Sequence, residues 1–140
     1  MSYYSFKTEL SMPAVSRSRT RQREATRRQL VEAGLRVVAE HGFAGATTAA
    51  IARETGKAHG TVFVHFASRD ILVEALVAAI GEAMSQQLAR LPAEVCGVAE
   101  VLDAHLVALE EHEVLYVRLL REATVLPLSA RARVFALQSA

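Results

Sequence analysis

The most informative part of this 140-residue chain is TTAAIARETGKAHGTVFVHFASRDIL, Thr47–Leu72. Two short helices are predicted in it, one that ends at Gly56 and one that runs from Ala58 to about His65. Two short helices joined by a glycine turn can cross as a helix-turn-helix, which offers the second helix to the major groove of DNA. Such turns also occur in ordinary helical domains, so the pattern alone leaves both interpretations open.

Three details of the stretch favour contact with DNA. Gly60 lies inside the second predicted helix, where glycine costs about 1 kcal/mol relative to alanine, and a close approach to a phosphate or base edge would compensate for that cost. Arginines flank the stretch, with Arg27 or Arg28 on the preceding helix and Arg69 after it. The outward side chains form a polar and aromatic surface, unlike the Glu and Lys mixture of a solvated face: Lys57, His59, Thr61, Phe63 and His65.

The same residues form a series of motif positions. In chain order these are Thr47 as a cap, Ile51-Ala52, Gly56, Gly60-Thr61-Val62-Phe63, His65-Phe66 and Ser68-Arg69-Asp70. In order and spacing the series resembles the tetracycline-repressor (TetR) family of transcriptional regulators. The resemblance implies an all-α protein with a three-helix helix-turn-helix DNA-binding domain, a long connecting helix and an incomplete helical regulatory domain.

The resemblance also implies a function. A homodimer would bind a palindromic operator in double-stranded DNA, with two half-sites about one helical turn apart, and would usually repress transcription. A small apolar or amphipathic ligand would release it by favouring another spacing of the two recognition helices. No cofactor is implied. An enzyme is not expected either, because no nucleophile, base and orienting group fall into a known arrangement.

Position by position, the resemblance assigns a positioning helix to residues 47–54 and a recognition helix to residues 58–65. Ten residues would contact DNA: Thr47, Thr48, Lys57, Ala58, His59, Gly60, Thr61, Phe63, His65 and Arg69. Phe63 lacks the hydroxyl of the usual tyrosine, and Ala58 replaces a Ser or Thr cap, a loss of about 1 kcal/mol of helix stability. Lys57 adds a cation at a normally apolar position. These departures predict an affinity that depends more on charge than on neutral hydrogen bonds.

The charge distribution agrees with a DNA-binding first half. Residues 1–70 contain eleven Lys and Arg against six Asp and Glu, whereas residues 71–140 contain five against nine. A basic half joined to an acidic half suggests that only the first half meets a polyanion. We therefore predict a flexible basic arm over residues 1–19, a DNA-binding domain over 20–68, and a partial ligand-binding and dimerisation domain over 69–140.

The periodicity of apolar residues predicts helices along the rest of the chain and no strand. The first helix runs from Thr20 to a left-handed cap at Gly42, and a long helix runs from Ser68 to about Arg90. Two further helices are predicted over residues 114–123 and 129–138. Between them and the long helix, a fifth helix carries an apolar stripe at Val98, Val101, Leu102, His105, Leu106 and Leu109.

Three residues of the second half are candidates for a ligand pocket. His105 lies on the apolar stripe, His112 follows seven residues later on the same predicted face, and Tyr116 lies nearby. The alternatives are a hydrogen-bonded core histidine with a surface one beside it, or a metal site, which two ligands without a third support only weakly. Cys96 is the only cysteine, so no internal disulfide can form, and we expect an inert thiol and no metal site.

Other classes of protein fit the sequence less well. The longest apolar stretch, Ile71–Gly81, is interrupted by Glu74 and falls short of the roughly 20 residues of a membrane span. Residues 1–10 do not resemble a signal peptide, so a cytoplasmic protein is expected.

Members of the TetR family usually continue for several more helices than this chain. The alternative is therefore a truncated relative that acts as a dimerisation or interaction module, and a third hypothesis is weakly selective coating of DNA.

Overall fold

The computed structural model describes residues 14–91 and 97–138. Most of the predicted arm and Cys96 lie outside these residues. The described chain forms seven α-helices, one short 3-10 helix and no strand: α1 (Ala14–Gly45), α2 (Thr48–Thr55), α3 (His59–His65), α4 (Arg69–Ala89), α5 (Val98–Glu111), α6 (Glu113–Arg121), the 3-10 helix (Ala123–Val125) and α7 (Leu128–Gln138). The prediction of an all-α protein is confirmed.

The first helix begins earlier than the sequence pattern predicts. Residues 14–19 were expected to end the arm, but they form the first turns of α1. Arginine is a good helix former, which allows the helix to continue through a segment that has no apolar face. The helical run breaks at Gly42, whose φ of 75° and ψ of 178° are accessible to glycine and costly for other residues. The predicted stop is present, although this ψ differs from that of a left-handed cap.

The first four helices enclose the core that supports α3. Gly34 of α1 lies so close to Leu76 of α4 that an added Cβ would come within 2.6 Å of its Cδ2 atom. Glycine at this position therefore lets α1 and α4 pack closely. Removing large apolar side chains from water is the main stabilising contribution to such a core. Its large, fully buried members include Leu30, Val38, Phe43, Ile51, Val62, Phe66, Leu72, Leu76 and Ile80.

The long helix α4 connects this core to the second half. Helices α5 and α7 pack against α4, and α6 packs against α1. The Ser129 hydroxyl at the start of α7 donates a hydrogen bond to the Glu74 carboxylate of α4. Leu119, Leu126 and Val134 are buried and extend the same apolar cluster. No helix in residues 14–91 or 97–138 combines the length and the apolar character that crossing a membrane requires.

Five of the six residues of the apolar stripe predicted on α5 are exposed. Val98 is 87% exposed and Leu102 55% exposed, and His105 on the same stripe is also exposed. Ala108, which the predicted stripe did not include, is buried, while α5 packs against α4. Periodicity identified the apolar side chains correctly, but it cannot say which of them a neighbouring helix covers.

Candidate nucleic-acid interface

The turn between α2 and α3 joins two short helices that pack against each other. The Thr47 hydroxyl accepts a hydrogen bond of 3.1 Å from the Ala50 N–H and so caps the start of α2. Gly56 ends α2 with a left-handed φ of 64° and ψ of 17°. Ala58 precedes α3 and supplies no side-chain cap. The Thr47 cap, the Gly56 turn and both short helices are present as the sequence predicts.

One face of α3 holds it to the core and the other lies open. Val62 is fully buried, as is Phe66 just after the helix, whereas His59, Gly60 and Phe63 are exposed. A Cβ added at Gly60 would meet no heavy atom within 4 Å in the described part of the chain. Packing inside the protein therefore does not require glycine here, although glycine weakens the helix.

A hydrogen bond links α2 and α3 on this open side. The Thr48 Oγ1 and His59 Nε2 atoms lie 2.8 Å apart, and either can be the donor, depending on the tautomer of the imidazole. The His59 ring also packs against Phe63, with 4.8 Å between ring centroids. Three of the predicted DNA-contact residues are therefore in direct contact, and the His59 ring is held by both helices.

Arg27 of α1 reaches the end of α3. Its Nη1 donates a hydrogen bond of 3.1 Å to the His65 carbonyl. Its guanidinium carbon lies 4.4 Å from the centroid of the buried Phe66 ring, within cation–π distance. The sequence suggested Arg27 or Arg28 as a flanking cation for DNA, but it did not indicate this contact with α3.

Cations surround His65. Its pKa is lowered from the ordinary value of 6.5, first because burial desolvates the imidazolium, and then because Arg23, Arg27 and Lys57 repel a further positive charge. We call His65, Arg23, Arg27 and Lys57 together the basic cluster. It lies where α1, the turn after α2 and the end of α3 come together, and the cations of α1 and of the turn would attract an anion bound there.

Arg69 makes a contact that the sequence did not predict. Its Nη2 donates a hydrogen bond of 2.8 Å to the carbonyl of Phe43 at the end of α1. One donor of the guanidinium therefore binds the protein's own backbone. The residue is exposed overall and a guanidinium has five donors, so the predicted phosphate contact stays a prediction.

Comparison with known proteins assigns this arrangement to a family. Residues 30–76, which include α2 and α3, match the family model for bacterial regulatory proteins of the tetR family. The HTH-type transcriptional repressor AcnR of Corynebacterium diphtheriae is 33% identical over 108 residues, which cover 77% of this chain and 53% of that protein. The chain belongs to the TetR family. The matches are to DNA-binding regulators and not to enzymes.

Two further proteins are similar to this chain. AcnR of Corynebacterium glutamicum is 32% identical over 98 residues, which cover 67% of this chain and 47% of that protein. The chain thus spans about half the length of the curated relatives it matches. The multidrug binding protein EbrR, solved in complex with imidazole, is 22% identical with a TM-score of 0.48, covering 82% of this chain and 77% of that one.

The ligand-pocket residues predicted for this TetR-family chain lie apart from its apolar cavity. His112 lies one residue beyond α5, which ends at Glu111, and has a non-helical φ of −118° and ψ of 17°. Tyr116 is half-buried on α6. A cavity of about 260 Å³ beside α6 and α7 is lined instead by Leu120, Ala123, Thr124, Arg131, Val134 and Phe135. Ligand binding by the three predicted residues stays a prediction.

Glu122, which no sequence pattern indicated, joins the two halves of this TetR-family chain. Its Oε2 accepts a hydrogen bond of 2.8 Å from the Phe43 N–H, 79 residues away. Arg118, one turn earlier, donates to the Glu40 carbonyl at 3.3 Å and pairs with Glu122 at 3.5 Å. No local pattern distinguishes Glu122 from the other acidic residues of the second half, so only the folded chain identifies it.

Proposed function

We propose that this chain binds a palindromic DNA operator as a homodimer in the cytoplasm, and that it represses transcription until a small apolar or amphipathic ligand releases it. The observation that carries the proposal is the open face of α3, where His59, Gly60 and Phe63 are exposed beside the basic cluster. An exposed helix glycine with free space around it supports a close approach of the backbone to a groove or phosphate.

The DNA contacts divide into two groups by chemistry. The basic cluster and Arg69 would attract the phosphate backbone, which gives affinity that falls as salt rises. The α3 surface around Gly60 would enter the major groove and read base edges. The hydrogen bond between Thr48 and His59 would fix the orientation of the imidazole. The full set comprises Thr47, Thr48, Lys57, Ala58, His59, Gly60, Thr61, Phe63, His65 and Arg69.

Repression and release rest on different observations. The similar AcnR proteins are transcriptional repressors, which supports repression. The contacts of Glu122 and Arg118 with the end of α1 support release, because a shift of α6 would act directly on the helix that packs against α2. A ligand can drive such a shift only if it binds the two arrangements with different affinity. We expect it to bind near α6, with His105, His112 and Tyr116 as candidate contacts.

A second candidate is a dimerisation or interaction module without autonomous repressor activity. It is favoured by the exposed apolar side chains of α5, including Val98 and Leu102. Contiguous exposed apolar surface is typical of interaction sites. Against it stands the open surface around Gly60, which a protein-binding module would not need.

The decisive experiment is selection of bound fragments from a random DNA duplex pool at two salt concentrations. Enrichment of an inverted repeat supports a specific dimeric regulator. Binding that is equal for every sequence and falls steeply with salt would reduce the protein to phosphate coating. If no DNA is retained at low salt, both DNA-binding proposals are wrong and the interaction module remains.

A further inference from the structure

We propose that Arg27 is a positioning residue for DNA recognition, which holds the C-terminal end of α3 at the angle needed to enter the groove. The inference rests on the proposed function, because it assigns a role in operator binding. Arg27 lies outside residues 30–76, which the family model matches, and 38 residues before His65, whose carbonyl it binds. The proposed role is mechanical, and it is distinct from attraction of phosphate by charge.

The contacts of Arg27 hold two successive residues at the end of α3. The Nη1 donor binds the His65 carbonyl at 3.1 Å, and the guanidinium lies 4.4 Å from the Phe66 ring centroid. The last carbonyls of a helix have no partner inside the helix, and a cation there also interacts favourably with the helix dipole. Because Phe66 is fully buried, a guanidinium fixed over its ring is anchored to the core.

The recognition helix needs such an anchor because it is short. It has seven residues, Gly60 weakens it, and Ala58 cannot cap its start. Helices of this length are not stable in water by themselves, so tertiary contacts must supply the order. Val62 and Phe66 hold one face of α3 by apolar contact, and Arg27 adds a directional polar contact from α1.

The chemistry selects arginine over lysine. A planar guanidinium can donate a hydrogen bond in its plane while its face lies on an aromatic ring, whereas an ammonium cannot do both with the same geometry. Arg27→Lys therefore keeps the positive charge and loses the positioning. Arg28 supplies a matched control, because it lies next in sequence, is exposed, and lines an open groove along α1 with Arg17 and Arg21.

The test has two readouts on the whole chain: amide hydrogen exchange without DNA, and affinity for the inverted repeat that the unmodified protein enriches. In Arg27→Ala and Arg27→Lys, we expect amides 62–66 to exchange about tenfold faster, while those of α4 keep their protection and show that the fold is intact. We also expect both variants to bind the operator about tenfold more weakly, with Arg27→Lys keeping the salt dependence of the unmodified protein. Arg28→Ala should leave the exchange of α3 unchanged.

Three outcomes would overturn the assignment. Unchanged exchange in α3 would show that Arg27 does not hold the helix. Operator affinity in Arg27→Lys equal to that of the unmodified protein would show that only the charge matters. Faster exchange with unchanged operator affinity would show that the contact has no role in recognition. If the unmodified protein enriches no sequence, the proposed function is wrong, and the exchange measurement alone then decides whether Arg27 holds α3.

Discussion

The Glu122 carboxylate accepts a hydrogen bond of 2.8 Å from the backbone N–H of Phe43. The Phe43 carbonyl in turn accepts a hydrogen bond of 2.8 Å from the Arg69 guanidinium. Phe43 is therefore held on its N–H by the end of α6 and on its carbonyl by the start of α4, while its ring is buried in the core. Glu122 and Arg69 thus connect the second half of the chain to the segment that leads into α2.

We expect Gly42→Ala to be strongly destabilising. The φ of 75° strains any residue with a Cβ, and an added Cβ would collide with the Glu122 Oε1 atom. The expected loss in the free energy of unfolding is about 3 kcal/mol, measured by urea denaturation.

Gly56→Ala is the matched control for this prediction. Gly56 also has a positive φ, 64°, but an added Cβ would meet nothing within 4 Å in the described chain, so about 1 kcal/mol should be lost. Combining Gly42→Ala with Glu122→Ala should cost less than the sum of the two single changes, because the collision disappears. Strict additivity would contradict the proposed collision.

Glu122→Ala should weaken the attachment of α6 to α1. It leaves the Phe43 N–H without its acceptor, at an expected cost of about 1–2 kcal/mol in the free energy of unfolding. Glu122→Gln keeps an acceptor oxygen and should lose less than half as much. Glu113→Ala, an exposed change at the other end of α6, is the control and should alter unfolding little. Equal losses in the Ala and Gln variants would show that the hydrogen bond is not what stabilises this contact.

Gly60 variants should separate stability from DNA binding. Gly60→Ala should raise the stability of α3 by up to about 1 kcal/mol, because alanine favours helix and the space around Gly60 is free. Gly60→Leu should abolish operator binding without unfolding the domain. The two measurements are thermal unfolding and affinity for the selected repeat.

Val64 provides the control for Gly60. Its side chain is 65% exposed on α3 and belongs to no predicted DNA contact. Val64→Leu should therefore leave operator affinity within about twofold. Operator affinity that is unchanged in Gly60→Leu would refute the close approach of α3 to DNA.

Stability should depend on pH through His65. The folded chain lowers the pKa of His65, so below about the ordinary value of 6.5 the unfolded chain binds the proton more readily than the folded chain. The contribution of neutral His65 to the free energy of unfolding is therefore complete above pH 6.5 and is lost as the pH falls below that value. Urea denaturation between pH 7.5 and 5 should show a smaller decline in the free energy of unfolding for His65→Gln than for the unmodified protein. If the free energy of unfolding declines equally in both proteins, groups other than His65 cause the pH dependence.

The sequence predicted the site only in part. The residues of α2 and α3 could be placed because caps, glycine turns and apolar spacing are local signals, and Thr47, Gly56 and Val62 occupy their expected places. The ligand residues were harder to place. A seven-residue spacing predicted that His105 and His112 share a face, but the helix ends between them. Local periodicity does not report where a helix stops when neither glycine nor proline marks its end.

Local patterns in the sequence predict the helical class, the turn at Gly56 and the TetR-family motif, since these depend on residues a few positions apart. Which polar groups meet depends on the tertiary structure. Arg27 binds the end of α3 from 38 residues away, and Glu122 binds Phe43 from 79 residues away. Such contacts depend on how whole helices pack, and helix packing is set by the shape of the buried surface and not by local pattern. The exposure of the α5 stripe has the same origin.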